Sequence, residues 1–316
     1  MVAALNDRPP PTFDLLAAAR NLLVDRLIAE LDTAFEKAGI EHVLLKGPAI
    51  AGWLYSGVEV RAYNDGDFLV SHRRWGDAVA LLVQLGFRDA WAEAAHPNLE
   101  GFASHPWIRD VDNVDLHATL AGITSDFDTA WSSLARDTTE VLVAGRPVRV
   151  LGEPARAFHL ALHAAHHHEG KAMIDLERGL ERLGESVWEG ASEIATQLGA
   201  TAAFATGLRL LPAGDALARR LGVGEARSAA ATLKVESVPL AEGFEYLANA
   251  SGLGGKLTLI WKELFPSPEF LRWWSPSLAQ RGRSGLAAAY LHRAIWLVAH
   301  FPAGFRAWRR ARREAG

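Results

Sequence analysis

The chain has 316 residues, enough for two domains or one large one, and its 49% hydrophobic and 22% charged content is that of an ordinary globular protein. A formal charge of −4 gives no global case for nucleic-acid binding, so no stable DNA complex is expected. The absence of cysteine excludes disulfides, thiolate zinc sites and cysteine nucleophiles.

The first residues, MVAALNDRPPPTFD, hold no basic segment followed by an apolar core. No uninterrupted apolar stretch is long enough to span a bilayer. A cytoplasmic protein is the expectation. Residues 1–11 are Pro-rich and expected to be loose. Thr12 can cap a helix over 13–38, in which Leu15, Leu16, Ala19, Leu22, Leu23, Leu27, Leu31 and Phe35 recur at helical spacing and Gly39 is the stop.

The stretch 42–70 carries the chemistry. An apolar run over 42–45 predicts a short buried strand. Lys46-Gly47-Pro48 breaks it: Gly allows a tight turn, and Pro suits the first turn of a helix predicted over 49–55. Such a turn offers backbone N–H groups to a phosphate. Arg61 follows in a loop, and Asn64-Asp65-Gly66-Asp67-Phe68-Leu69-Val70 opens the next strand with two carboxylates. Side chains alternate along a strand, so Asp65 and Asp67 point one way and Phe68 and Val70 the other. Two adjacent carboxylates repel unless a cation lies between them, and hard oxygen ligands suit Mg²⁺ or Mn²⁺.

Ser71 is placed as the cap of a helix running to about Leu85, ended by Gly86. Residues 87–123 are expected to be sheet and loop. There Val114-Asp115-Leu116 sets an acid between apolar neighbours on a strand, and alternation puts His117 on the face of Asp115. Asp110 and Asp112 compete with Asp115, and His117 is balanced between a structural and a site role. Residues 141–151 predict a hairpin about Gly145-Arg146-Pro147. Beyond Glu153 the pattern is almost wholly helical, with breaks at Gly199, 212–214, 222–224 and Pro239.

The segment 42–70 resembles the uncharacterised nucleotidyltransferase family of the DNA polymerase beta-like superfamily. The resemblance lies in Leu44-Leu45-Lys46-Gly47, Tyr55, Arg61 and Asp65-Gly66-Asp67-Phe68-Leu69-Val70, with Asp115-Leu116-His117 matching a D-L-H in the family. It extends to Ala18-Ala19-Arg20-Asn21 upstream and Phe265-Pro266-Ser267-Pro268 downstream. The wider superfamily usually has Gly-Ser or Gly-Gly after the first strand where this chain has Gly47-Pro48, and Pro removes a backbone donor. The resemblance implies an α+β fold: a nucleotidyltransferase-like domain with a small mixed sheet over 1–152, then a helical domain over 153–316. It implies transfer of a nucleoside monophosphate from an NTP such as ATP to a hydroxyl or phosphate of a small molecule, peptide, protein or RNA. Asp65, Asp67 and Asp115 would be the catalytic metal ligands for Mg²⁺ or Mn²⁺, and Lys46, Gly47 and Arg61 would contact the triphosphate.

Two other readings stand beside this one. The fold could serve as an inactive binding or adaptor module. Alternatively, His159, His163, His166, His167 and His168 fall on one predicted helix, before Glu169 and Asp175, and could form a metal hydrolase. H-E-x-x-H is absent, however; a helix lining the nucleotide or acceptor cleft fits the set better, and a plain bundle interface fits any one of these histidines better still. Ser251-Gly252-Leu253-Gly254-Gly255-Lys256 fails the phosphate-loop pattern and is expected to be a loop. At the C-terminus an apolar helix over 286–300 leads to a basic segment, 305–313, read as a solvated tail in preference to a membrane-surface or RNA contact.

Overall fold

The computed structural model describes residues 15–56, 59–90, 104–168, 170–224, 229, 232–233, 238, 240–249, 252–266, 268–279 and 281–315. Helix α1 (Leu15–Lys37) turns Leu27, Ile28, Leu31 and Phe35 inward. It ends as Gly39 takes a positive φ of 64° and Ile40 donates to the Phe35 carbonyl. Strand β1 (His42–Leu44) then leads through the Lys46-Gly47 turn into α2 (Pro48–Leu54), and β2 (Gly66–Val70) follows. Ser71 makes no side-chain cap. A single 3₁₀ turn over His72–Arg74 comes first, and α3 (Trp75–Gln84) begins after it.

Strands β3 (Arg88–Asp89), β4 (Ser104–Arg109) and β5 (Asp112–His117) come next. After α4 (Phe127–Leu134), β6 (Thr138–Val143) and β7 (Arg146–Leu151) form a hairpin. Its turn is Ala144-Gly145, both at positive φ, so Arg146 and Pro147 belong to the strand and not to the turn. The seven strands form one mixed sheet in the order β3-β4-β5-β2-β1-β7-β6, parallel at β2–β5 and β1–β7.

Alternation divides the sheet into two faces. Leu44, Phe68, Val70, Val114, Leu116, Val148 and Val150 pack with Ile28, Leu31 and Phe35 of α1 and Ala78 and Leu82 of α3. Val43, Leu45 and Leu69 lie on the other face. They share a core with Phe158, Leu160 and Ala161 of α5 (Glu153–His166), Trp188 of α7 (Glu185–Gln197) and Phe204 of α8 (Thr201–Leu208). Helix α6 (Lys171–Arg182) lies between α5 and α7 in sequence, and α9 (Pro212–Arg220) starts on its proline instead of breaking there. Helix α8 crosses α5 closely: a Cβ on Gly207 would lie 1.9 Å from the Ala161 carbonyl oxygen. Among the described residues strand structure ends at Leu151, but the core continues across that point.

The later described helices are α10 (Ala241–Asn249), α11 (Gly252–Leu264), α12 (Pro268–Trp274), α13 (Pro276–Ala279) and α14 (Gly282–Ala315). The segment expected as a loop at 252–256 is therefore helix. Leu257, Ile260, Trp261 and Leu264 continue the helical spacing, and that pattern outweighs the glycines. Ser251 lies outside the described residues. Helix α14 runs unbroken through Pro302 into the basic segment. Among the described residues no helix is long and apolar enough to cross a membrane.

Candidate functional site

Parallel pairing of β2 with β5 sets Asp67 directly beside Asp115 and Leu69 beside His117. Partnered residues of adjacent strands share a face, so Asp67, Asp115 and His117 all stand on the side covered by α5. One carboxylate oxygen from each acid and one imidazole nitrogen lie within 4.8 Å of one another. Asp65 precedes the strand and is not in that group. Among the described residues this is the single group of three or more acid or histidine side chains able to share an ion.

Lys46 is delivered by the adjacent strand. The Leu45 amide donates to the Asp67 carbonyl at 2.9 Å, which places the next side chain against the acid. Lys46 Nζ lies 2.5 Å from Asp67 Oδ1, with the carboxylate 2% exposed. His117 Nε2 approaches the same oxygen at 3.1 Å. Burial raises the pKa of Asp67, but Lys46 and His117 outweigh it and hold the group far below the carboxylate range. Burial likewise lowers Lys46, and Asp67, with Asp65 and Asp115 farther off, reverses this to a raised value. Asp65 and Asp115 are raised, by burial first and by repulsion from Asp67 second.

The rival acids are placed elsewhere. Asp110 lies at the β4–β5 turn with a positive φ of 52°, and Asp112 accepts from Arg109 Nη2 at 2.8 Å at the far end of β5. Gly47 has φ 60° and ψ −121°, a conformation reserved for glycine, and gives the turn its shape. The amides of Ala49, Ile50 and Ala51 are consumed by the carbonyls of Lys46 and Gly47.

Arg61 is held inside the chain. Its guanidinium donates to both oxygens of Asp175 on α6, Nε to Oδ1 at 2.9 Å and Nη2 to Oδ2 at 2.6 Å, with side chains 4% and 0% exposed. Tyr55 donates to the same carboxylate at 2.7 Å. Arg178 reaches back to Glu59 at 2.6 Å and stacks 4.2 Å over the Tyr55 ring. Asp175 and Arg178, one helical turn apart, thus bind the loop that leads into Asp65 and Asp67. Sequence reasoning named Arg61 but did not find its partner, 114 residues away.

His159 and His163 of α5 and His167 just past its end form a row: ring centroids are 5.9 Å apart for His159–His163 and 4.7 Å for His163–His167. Burial, then Lys46 and His117, push His159 down to about 3. His163 is lowered by burial, Lys46 and its two neighbours. His159 and His163 therefore stand near Lys46 and Asp67 as neutral imidazoles. His166 leaves it and bonds the Leu162 carbonyl. The helix ends at His166, Glu169 lies outside the described residues, and Asp175 belongs to the next helix. Lys171, at the start of α6, also bears on this centre, opposing the rise of Asp65; sequence reading passed over it.

The donor set fits a divalent cation: two carboxylates and an imidazole converge beside Lys46 in a buried place.

The chain is a member of the uncharacterised nucleotidyltransferase family, whose sequence model matches residues 14–213. No curated protein sequence matches it. Among solved structures, the antibiotic-resistance factor ANT(2'')-Ia in solution is similar at TM-score 0.40 and 17% identity, over 57% of this chain and 91% of that one. A crystal structure of ANT(2'')-Ia with adenylyl-2''-tobramycin gives 0.39 and 19%, over 55% and 97%. An antigenic nucleotidyltransferase-like protein from Paracoccidioides brasiliensis gives 0.37 and 14%, over 66% and 95%.

Proposed function

We propose that the protein transfers a nucleoside monophosphate from an NTP to an acceptor hydroxyl or phosphate, using a divalent ion held by Asp67 and Asp115, with Asp65 beside them. The observation that carries this reading is the side-by-side pairing of Asp67 and Asp115 on parallel strands with Lys46 Nζ 2.5 Å from Asp67. Bound there, Mg²⁺ or Mn²⁺ would offset charge on the phosphate oxygens and fix their position.

Lys46 supplies the positive charge on the triphosphate side, and Gly47 lets the chain turn sharply past it. Arg61, which the resemblance sets against the triphosphate, donates Nε and Nη2 to Asp175, and we assign it to steadying the loop before Asp65. In transfer the acceptor oxygen bonds to the α-phosphorus and the bond from that phosphorus to the bridging oxygen breaks. Pyrophosphate leaves, and Asp115 helps to take the proton from a hydroxyl acceptor. His159 and His163, uncharged, line the cleft without adding positive charge beside Lys46.

The test is Asp115→Asn against Asp112→Asn, with each labelled NTP and lysate as the acceptor source. Asp115→Asn should lower labelling about 100-fold or more and weaken metal-dependent NTP binding as well, because Asp115 helps to hold the ion and also serves the acceptor oxygen. Asp112→Asn should keep activity. Full activity in Asp115→Asn would overturn the three-acid reading.

A further inference from the structure

We propose that His117 is itself a ligand of the ion held by Asp67 and Asp115, so that the site prefers Mn²⁺, which accepts imidazole nitrogen, over Mg²⁺. The inference rests on the preceding reading that these two acids hold a divalent ion, and adds to it the third ligand and the resulting choice of metal.

Three observations lead to it. The first is membership: the side chains whose ligand atoms gather within 4.8 Å are Asp67, Asp115 and His117, and Asp65 is absent from them. The protein thus offers two oxygens and a nitrogen where a wholly acidic site would offer three oxygens.

The second is register. His117 follows Asp115 by two residues in β5 and pairs with Leu69, two beyond Asp67 in β2. Strand geometry therefore aims it over the same patch as the acids, and it stays buried at 8% exposure.

The third is distance. Two ligands at right angles on an ion with bonds of about 2.1 Å stand about 3.0 Å apart. His117 Nε2 and Asp67 Oδ1 are 3.1 Å apart. Binding an ion would need little movement of either group, since Nε2 already has the spacing of a neighbouring ligand.

The chemical consequence follows from ligand type. Mg²⁺ is hard and holds oxygen and water, whereas imidazole suits ions further along the first-row series, and Mn²⁺ accepts oxygen and nitrogen together. A histidine that merely donates to Asp67 would orient that acid and affect both ions alike. The same 3.1 Å contact serves either role, and the metal response separates them.

The experiment uses the full-length protein without nucleotide. Free Mn²⁺ is followed by its paramagnetic resonance signal and Mg²⁺ by competition, for the wild type, His117→Gln and Asp67→Asn. Pulsed resonance of the Mn²⁺ complex reports directly bound ¹⁴N. The wild type should bind Mn²⁺ about tenfold or more tighter than Mg²⁺ and show ¹⁴N coupling. His117→Gln, which can still donate to Asp67, should lose the coupling and bring the two affinities within about threefold.

Wild-type Mn²⁺ binding without ¹⁴N coupling would overturn the proposal, and that measurement needs no variant to fold. An equal loss of both affinities in His117→Gln, with their ratio kept, would also overturn it, leaving the acid site standing. If Asp67→Asn bound both ions as the wild type does, or the wild type bound neither, the acid site would fall and this proposal with it.

Discussion

At the residue scale the centre is governed by charge balance in a buried place. Asp67 is tolerable there because Lys46 and His117 share its Oδ1. Lys46→Met should therefore cost about 3 kcal/mol of stability in chelator, as the carboxylate loses its cation. Added Mn²⁺ should then stabilise this variant more than the wild type, because the ion replaces the missing charge. Urea unfolding with and without Mn²⁺ measures both; a loss under about 1 kcal/mol would show the pair to be unimportant. NTP affinity should fall as well.

His159 gives a pH dependence of definite sign. Its folded pKa is about 3 against an unfolded value near 6.5. Above pH 6.5 both states are neutral and the residue adds no slope. Below it the unfolded chain takes up the proton and the folded chain does not, so stability is lost as pH falls from about 6.5 towards 3. Each pH unit within this window removes about 1.4 kcal/mol. His159→Asn should therefore lose less stability than the wild type between pH 6.5 and 5, whatever its stability at pH 7. Parallel profiles would mean that His159 titrates normally.

At the scale of elements the decisive joint is that of Tyr55 and Arg61 with α6. Asp175, wholly buried, accepts from Arg61 and Tyr55. Asp175→Asn removes the counter-charge of a buried guanidinium and should cost about 3–5 kcal/mol. The pair Arg61→Met with Asp175→Leu should be less damaging than Asp175→Asn alone, because no charge is left unpaired. Denaturant midpoints of the three proteins decide this. If the double variant is the least stable, the clamp is favourable in its own right. Helix α5 has a second duty, to seal the acid-bearing face with Phe158 and the neutral His159 and His163.

At the scale of the molecule, the proposed division at residue 152 separates mixed elements from helices but does not separate cores. Val43, Leu45 and Leu69 of the sheet share one apolar cluster with Phe158, Trp188 and Phe204. A chain of residues 1–152 would expose that face and should not fold alone. Residues beyond 224 form small clusters of their own, such as Phe270, Leu271, Ala279 and Ala289. A chain of residues 1–224 should therefore fold and keep the metal affinity of the whole protein. Circular dichroism melts of both fragments, with Mn²⁺ titration of the longer, check this; a cooperative melt from 1–152 would show that the sheet domain is self-sufficient.

Much of the site was legible because its rules are local. The period of two along a strand placed Phe68 and Val70 opposite Asp67, and Val114 and Leu116 opposite Asp115, and the turn at Gly47 followed from its neighbours. Residues 252–256, expected as a loop, are helix because the apolar spacing that follows outweighs their glycines. What only the tertiary structure decided were meetings between residues distant in sequence. The parallel register of β2 on β5 chose Asp115 and His117 over Asp112 and set Asp65 outside the trio. The docking of α6 gave Arg61 a partner in Asp175. Such pairings depend on which apolar faces bury one another across the whole chain, and a stretch of sequence carries its own periodicity but not the identity of the surface it will meet.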